Sequence, residues 1–297
     1  MLESQSAGNY KFYFFMRCNT NQPSNIGSSE TIREALQFDD YTKLGQPEHI
    51  PNVDKSFLEW FIGFTEGDGS FDQSKLAFII NQKDPKLLFK IKKKLGFGSV
   101  FETSKPGIWR YSVTGKKNCL RLYYLFNGNL ILTKTQNRFY TWVQNLDPPT
   151  PIKESKVIIT LKTAWLAGFI DAEGGFYARV RKNTKTKIGL QLQKKFYVTQ
   201  KGEYQNLQQI LNLLNSNSNV YKFCQNEEIY NRIDIASFQS HEILLNYLNK
   251  FSLLGSKNIS VCIWKKIHGR QHRSEHLTLE GIIKIQRLCS FLNKVNQ

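Results

Sequence analysis

Two acidic residues, Asp68 and Glu173, stand in closely matched surroundings. WFIGFTEGDGSF occupies 60–71 and WLAGFIDAEGGF occupies 165–176. Gly63 and Gly168 are 105 residues apart, and so are Asp68 and Glu173. A repeat of that length is a duplicated domain, because solenoid repeats run about 20–50 residues. Two carboxylates brought together repel unless a cation sits between them, so the pair points to a divalent metal held by oxygen ligands. An acid among glycines also occurs at a helix C-terminus with no chemistry attached. The same flanks in both copies favour the metal site.

The elements that must position these acids are readable. Residues 55–65 and 162–170 read as helices that are apolar on most sides and therefore buried. Gly63 and Gly67, and Gly168 and Ala172, recur four apart and share a helix face. Small side chains there allow two helix backbones to approach closely. Gly67-Asp68-Gly69 and Glu173-Gly174-Gly175 read as helix stops. Packing of the two faces would drive Asp68 and Glu173 together. Glu66 and Asp171, two residues earlier, turn away and read as structural or interface residues.

FIGFTEGDG and LAGFIDAEG resemble the signature of the LAGLIDADG homing endonucleases in their monomeric two-repeat form. The second copy matches more closely; the first has Ile62 and Thr65 where a small and an aliphatic residue are usual. The similarity runs from about Val53 to Asn293. The resemblance implies an α+β fold of two pseudo-symmetric α-β-β-α-β-β-α units, with saddle-shaped antiparallel sheets over DNA and the motif helices paired at the interface. It implies a monomer that binds a long, near-asymmetric duplex target and hydrolyses both strands across the minor groove, leaving 3′ overhangs. It implies Mg²⁺, with Mn²⁺ able to substitute, held at Asp68 and Glu173 beside Gly67 and Ala172. FIINQKD (78–84) and FYVTQKG (196–202) share Gln-Lys, so Gln82 and Gln200 fall where the family orders solvent near the scissile phosphate. LTKTQ and LGSKN place Lys134 and Lys257 before a late helix of each repeat. A lysine there could stabilise the transition-state charge, or simply be solvated or phosphate-contacting.

Composition agrees independently. The 41 Lys+Arg against 24 Asp+Glu leave a formal net charge of +17, which suits a polyanionic partner. No apolar run reaches the roughly 18 residues of a membrane span. The N-terminal sequence lacks the basic start and sustained apolar core of a signal peptide. Five cysteines without a C-x-x-C pair argue for a reducing compartment and against structural zinc. The abundance of Asn, Lys, Ile, Phe and Tyr suits an AT-rich genome. With the resemblance, that points to mitochondria, or alternatively chloroplasts.

The chain divides as an irregular N-terminal arm (1–52), a first unit (53–146), a linker (147–160) and a second unit (161–297). Asp84-Pro85 reads as an N-cap followed by Pro at the first helical position, with an apolar stripe Leu87, Leu88, Ile91, Leu95 and a stop at Gly96. Strand pairs are expected at 97–103 with 108–114, and at 220–224 with 230–236. Helices are expected at 117–126, 135–144 and 278–293. DPPTPIKESK (147–156) is Pro-rich and charged, as a linker should be.

After Glu173 the residues alternate. Tyr177, Arg179 and Arg181 share one face; past a polar turn, Gln191, Gln193, Lys195 and Tyr197 continue it. Arg pairs with G and Gln with A in the major groove, where a two-stranded ribbon fits. An ordinary solvated face is the alternative, which the lack of acids in these strands disfavours. The first hairpin is shorter: Asp68 to Gln82 is 14 residues, Glu173 to Gln200 is 27. Its face holds Asp72, Ser74, Lys75, Ala77 and Ile79, a poor set for bases. Thr103, Lys105 and Arg110 on the next strand pair would carry more. Readout should therefore be unequal, with the second half the stricter.

Other constellations are weaker. His268, His272 and His276 are spaced four apart, but Gly269, Arg270, Arg273 and Ser274 suggest a basic surface loop rather than a metal site. Three functions remain: a site-specific DNA endonuclease, an RNA maturase for a group I intron, and a non-cleaving DNA-binding regulator. Retention of both carboxylates disfavours the last.

Overall fold

The computed structural model describes residues 35–296. In the first half, α1 (Lys55–Asp68) runs into β1 (Gly69–Asp72) and β2 (Ala77–Gln82), then α2 (Pro85–Leu95), β3 (Ser99–Glu102) and β4 (Trp109–Val113). Helices α3 (Lys116–Phe126) and α4 (Thr133–Gln144) close it. The second half repeats this order: α5 (Trp165–Glu173), β5 (Gly174–Lys182), β6 (Leu190–Lys201), α6 (Tyr204–Leu213), β7 (Tyr221–Gln225), β8 (Glu228–Ile235), α7 (Phe238–Lys250), α8 (Lys257–His272). A terminal helix α9 (Leu279–Val295) follows. The two sheets are antiparallel and identical in topology, β1-β2-β4-β3 and β5-β6-β8-β7.

Local chemistry explains the boundaries. Asp54 caps α1 by accepting from Ser56 N at 2.9 Å, and Asp84 caps α2 through Lys86 N with Pro85 at its first turn. Gly96 ends α2 at φ +81, in the left-handed region that glycine enters without penalty. Leu87, Leu88, Ile91 and Leu95 are buried as the stripe predicts. Thr278 caps α9, whose Ile282, Ile285 and Leu292 are fully buried while Leu288 is partly so.

Four expectations need correction. The acid-glycine segments end their helices without a left-handed cap: Gly69 (φ −75, ψ 145) and Gly174 (φ −80, ψ 158) are extended, and lead directly into strands. Glycine is required there for space, since an added Cβ would lie 2.5 Å from Thr65 O and 2.8 Å from Ile170 O. Residues 1–34 of the expected arm lie outside the described residues. Residues 35–52 are no loose arm: Leu36 and Tyr41 are buried, Asn129 Nδ2 donates to Gln37 O and its Oδ1 accepts from Gln37 N, and Tyr41–Gly45 form a π-helical turn. The three histidines are not on one surface loop. His268 and His272 lie on α8, and His268 is buried with its ring stacked on Phe238 at 4.3 Å. No cluster of three metal-ligating side chains occurs among the described residues. The spacing had also not isolated α7 and α8 as helices.

The linker runs without helix and is pinned to the first half. Tyr123 Oη donates to Thr150 O and Pro151 O, and Lys153 N donates to Asn127 Oδ1. No described helix is long and apolar enough to cross a membrane.

Candidate active site and nucleic-acid face

The site begins where α1 and α5 cross. A Cβ on Gly63 would lie 1.9 Å from Trp165 O, and one on Gly168 would lie 1.8 Å from Trp60 O. The two backbones therefore touch through their glycines. One turn on, a Cβ on Gly67 would meet Ala172 Cβ at 2.3 Å and Glu173 Cγ at 3.0 Å. This contact brings the C-termini of both helices together, and Asp68 and Glu173 are the last residues of each.

Glu66 and Asp171 turn inward and lock the crossing with matching bonds. Glu66 accepts from Trp165 Nε1, Ile131 N and Leu132 N. Asp171 accepts from Trp60 Nε1, Leu254 N and Gly255 N. Each acid thus reaches the tryptophan of the other half, and the loop before a helix of its own half. Burial raises the pKa of Glu66 to about 8 against the pull of its three N–H donors, and raises Asp171 as well. These buried acids are part of the frame.

Asp68 and Glu173 are half-buried. Gln82 Nε2 donates to Asp68 Oδ2 at 2.6 Å, and Gln200 Nε2 donates to Glu173 Oε1 at 3.4 Å. Both glutamines therefore lie beside the carboxylate of their own half. Burial raises the pKa of Asp68, opposed by Lys257 and Gln82. Burial, and then the charge of Asp68, push Glu173 up to about 7. Lys257 is drawn into this cluster. Its Nζ donates to Ala172 O at 2.6 Å, and burial lowers its pKa, opposed by Asp68, Asp171 and Glu173. The carbonyl expected beside a metal is thus shared with a lysine. Lys134 occupies the matching place in the first half and feels Glu173 and Glu203 across the interface, though burial and nearby Arg138 and Lys201 lower its pKa. Two residues escaped the sequence reading. Glu203, buried, accepts from Lys134 N and Asn206 Nδ2, and Arg138 Nη2 donates to Gly69 O. Nothing in their local pattern separates them from other charged residues.

The strand face is built by register. Arg181 pairs with Gln191, Arg179 with Gln193, Tyr177 with Lys195, and Tyr197 with Asp234. All seven expected positions therefore share one face. Arg181 donates to Gln191 Oε1, and Arg179 is exposed. The expectation of an acid-free face does not hold for the whole sheet. Asp234 on β8 accepts from Lys195 Nζ at 2.6 Å and from Arg232 Nε at 2.8 Å. Arg232 also lies 4.0 Å over the Tyr197 ring. An open groove of about 680 Å³ follows these residues. The strand expected at 230–236 is β8, but its place on this face comes only through pairing with β6.

The first sheet offers less. Ala77 is buried rather than open, and Ser74 and Lys75 are tied into a turn by Asp72. Lys105 is exposed in the β3–β4 turn, while Thr103 closes that turn by bonding Lys105 O. Arg110 is held by Asn81 at 2.9 Å. The pairs Gln82–Trp109 and Gln200–Asn231 set the two sheets in correspondence, so that Arg110 matches Arg232.

Comparisons with known proteins agree with this geometry. Residues 61–146 and 166–268 each match the model of the LAGLIDADG endonucleases. The probable intron-encoded endonuclease 4 of Neurospora crassa is 32% identical over 248 residues, covering 80% of this chain and 44% of that protein. A cox1 intron-2 protein of Schizosaccharomyces pombe is 28% identical over 285 residues, covering 92% of this chain and 84% of that protein. The chain therefore spans less than half of the first relative and most of the second. Among solved structures, the meganuclease I-SmaMI bound to uncleavable DNA superposes with a TM-score of 0.64 at 19% identity, covering 81% of this chain and 100% of that one. The meganuclease I-AabMI bound to uncleaved DNA gives 0.61 at 21%, covering 78% and 98%. These likenesses show a shared fold. With one match on each half and a motif helix at the start of each, the chain belongs to the LAGLIDADG endonuclease family.

Proposed function

We propose that this protein is a site-specific DNA endonuclease that hydrolyses one phosphodiester on each strand across the minor groove. The observation that carries the reading is the meeting of Asp68 and Glu173 at the joined C-termini of α1 and α5. Helix C-termini carry negative partial charge, so two further carboxylates there are unfavourable without a cation. Burial raises both acids, and the charge of Asp68 raises Glu173 further; a hard divalent cation with oxygen ligands fits the donor set. Asp68 and Glu173, with the carbonyls of Gly67 and Ala172 beside them, would hold it. Bound Mg²⁺ would supply Lewis acidity to the scissile phosphate and lower the pKa of attacking water. One solved I-SmaMI complex with uncleaved DNA was obtained in the presence of calcium ions.

The protein's own groups do the rest. Gln82 and Gln200 fix the carboxylate orientations. Lys257, with Nζ inside the acid cluster, and Lys134, facing Glu173, offer positive charge where the phosphate gains negative charge. Tyr177, Arg179, Gln191 and Gln193 would read bases in one half-site, and Arg110 and Lys105 would contribute in the other. The decisive experiment incubates the protein with Mg²⁺ and duplex DNA spanning an uninterrupted intron-insertion site. A double-strand break supports the reading; tight binding without any break sinks it.

A second reading has its own support. A segment of 125 residues is 33% identical to the intron-encoded RNA maturase bI4 of Saccharomyces cerevisiae, over 40% of this chain and 19% of that protein. Assistance to splicing of a group I intron, tested on precursor RNA, is the alternative activity. Another relative is a mitochondrial protein of the same yeast, and with the cox1 intron relatives it favours the mitochondrion as the place of action.

A further inference from the structure

Helix α2 carries Lys86, Lys90, Lys92, Lys93 and Lys94 and no acid. Its apolar side is buried against the first sheet, so all five lysines are exposed. None makes an ion pair among the described residues. Lys92, Lys93 and Lys94 lie in the last turn, where cations suit the helix dipole, but Lys86 and Lys90, and Lys90 and Lys94, are like charges four apart, which weaken a helix. The matching helix α6 gives an internal comparison. Its solvent side holds Gln205, Asn206, Gln208, Gln209 and Asn212, and it has no charged residue at all. Solvation alone needs only polarity, as α6 demonstrates.

Two further features adjoin these lysines. Phe89 is 47% exposed among the lysines, its ring 6.1 Å from Trp109. Phe89 lines a shallow hollow with Lys92 and Lys93, and on another side of the helix a cleft of about 340 Å³ runs between α2, the start of α1 and the end of α7, lined by Lys90, Lys94, Lys250, Phe57 and Phe251. Asp54 also lines it, but its Oδ1 is engaged by Ser56 N and Oγ. Lys94 lies 6.0 Å over the Phe57 ring.

We propose that α2 and this cleft form a second nucleic-acid surface, separate from the cleavage site, and that its occupant is a folded RNA. The cleft runs along α1 from Asp54 to Trp60, whereas Asp68 ends that helix a further eight residues on, about 12 Å beyond the near edge of the cleft and about 21 Å from its far edge. Helix α2 also covers the apolar side of its sheet, whose opposite side carries Asn81 and Arg110. A duplex on the strand face would have to fold back around the sheet to touch α2, against a persistence length of about 150 bp. A folded RNA presents clustered phosphates and unpaired bases in one compact shape, matching a lysine cluster around an exposed aromatic ring. A lipid surface fits less well, because the apolar side of α2 is already in the core.

The proposal does not depend on DNA cleavage, and its test leaves that reading untouched. The triple variant Lys90→Gln, Lys93→Gln, Lys94→Gln changes only exposed side chains, and its thermal melt should match the parent's. Binding of a folded group I intron RNA is measured across a salt series, beside an intron-insertion duplex DNA and anionic phosphatidylserine vesicles. RNA affinity should fall at least about tenfold and the log–log salt slope should shrink by roughly two, as for two to three lost phosphate contacts. DNA affinity should stay within about twofold. Phe89→Ser should weaken RNA binding with the salt slope unchanged, as for a lost stacking contact. The proposal is overturned if the parent does not bind the RNA, if the triple variant binds it equally well, or if RNA and DNA affinities fall together. Loss confined to vesicle binding would also overturn it.

Discussion

Asp68 and Glu173 are the residues on which cleavage is proposed to turn. Asp68→Asn and Glu173→Gln keep side-chain shape while removing charge. Each should lower double-strand cleavage by at least about a thousandfold and leave duplex binding intact. Plasmid linearisation beside a gel shift measures both, and full cleavage by either variant would refute the assignment. Removing the metal with a chelator should stop cleavage in the parent in the same assay. A different residue governs pH behaviour. Lys194 points to the helix side of β6, where its Nζ lies 2.5 Å from His268 Nδ1 and 4.5 Å from the Trp264 ring. Glu242, His241, His272 and His276 are the other titratable groups around it. Burial lowers Lys194 to about 7, His268 to about 4 and His241 to about 3. The unfolded chain therefore binds more protons between each folded value and its ordinary one. The histidines contribute a rise in stability from about pH 4 to 6.5 and Lys194 one from about 7 to 10.5, while Glu66 and Glu173, raised to about 8 and 7, contribute the opposite trend from about 4.5 to 8. Lys194→Met should flatten the upper rise in melting temperature, leaving only the smaller part due to buried Lys134 and Lys257; a variant rising as steeply as the parent over that range would contradict this account. The motif showed the acids in advance. Alternation places Lys194 on the side opposite Lys195, but no local pattern shows that α7 and α8 enclose it with two histidines.

At the scale of elements, the helix crossing sets the geometry of everything beside it. Gly63 and Gly168 each lie under a carbonyl oxygen of the partner helix. Gly63→Ala or Gly168→Ala must therefore push α1 and α5 apart. Each should cost at least about 3 kcal/mol, beyond the usual range for one added methyl because backbone rather than side chain is displaced. Calorimetry would register it, and cleavage should fall further than stability explains, since Asp68 and Glu173 separate. Alanine variants that melt like the parent would mean the helices are not in backbone contact. Helix starts and stops were legible where the cap is local: Asp84, Pro85 and Gly96 bound α2 as the residues imply. The glycines after the acids were misread as caps. Their reason lies in space taken by Thr65 and Ile170, not in backbone dihedrals.

For the whole molecule, two matching acid-bearing halves carry two unequal sheets, proposed to read the target. The strands β5 and β6 run 9 and 12 residues against 4 and 6 for β1 and β2. Single base changes under the second half should reduce cleavage by about tenfold to a hundredfold each, as a lost bidentate contact does. Changes under the first half should matter less. Equal sensitivity in both halves would sink this expectation. The sequence by itself determined the duplication, the acid pair, the order of most elements and the unequal hairpins. These follow from repeats, periodicity and caps, which act over a few residues. Only the tertiary structure decided that Asp234 joins the face between Lys195 and Arg232, that Glu203 reaches Lys134, and that Lys257 lies on Ala172 O. Those contacts join residues 39, 69 and 85 positions apart, or share a strand brought in by sheet pairing. No local pattern encodes them, because they come from the packing of elements whose separate signals say nothing about their neighbours.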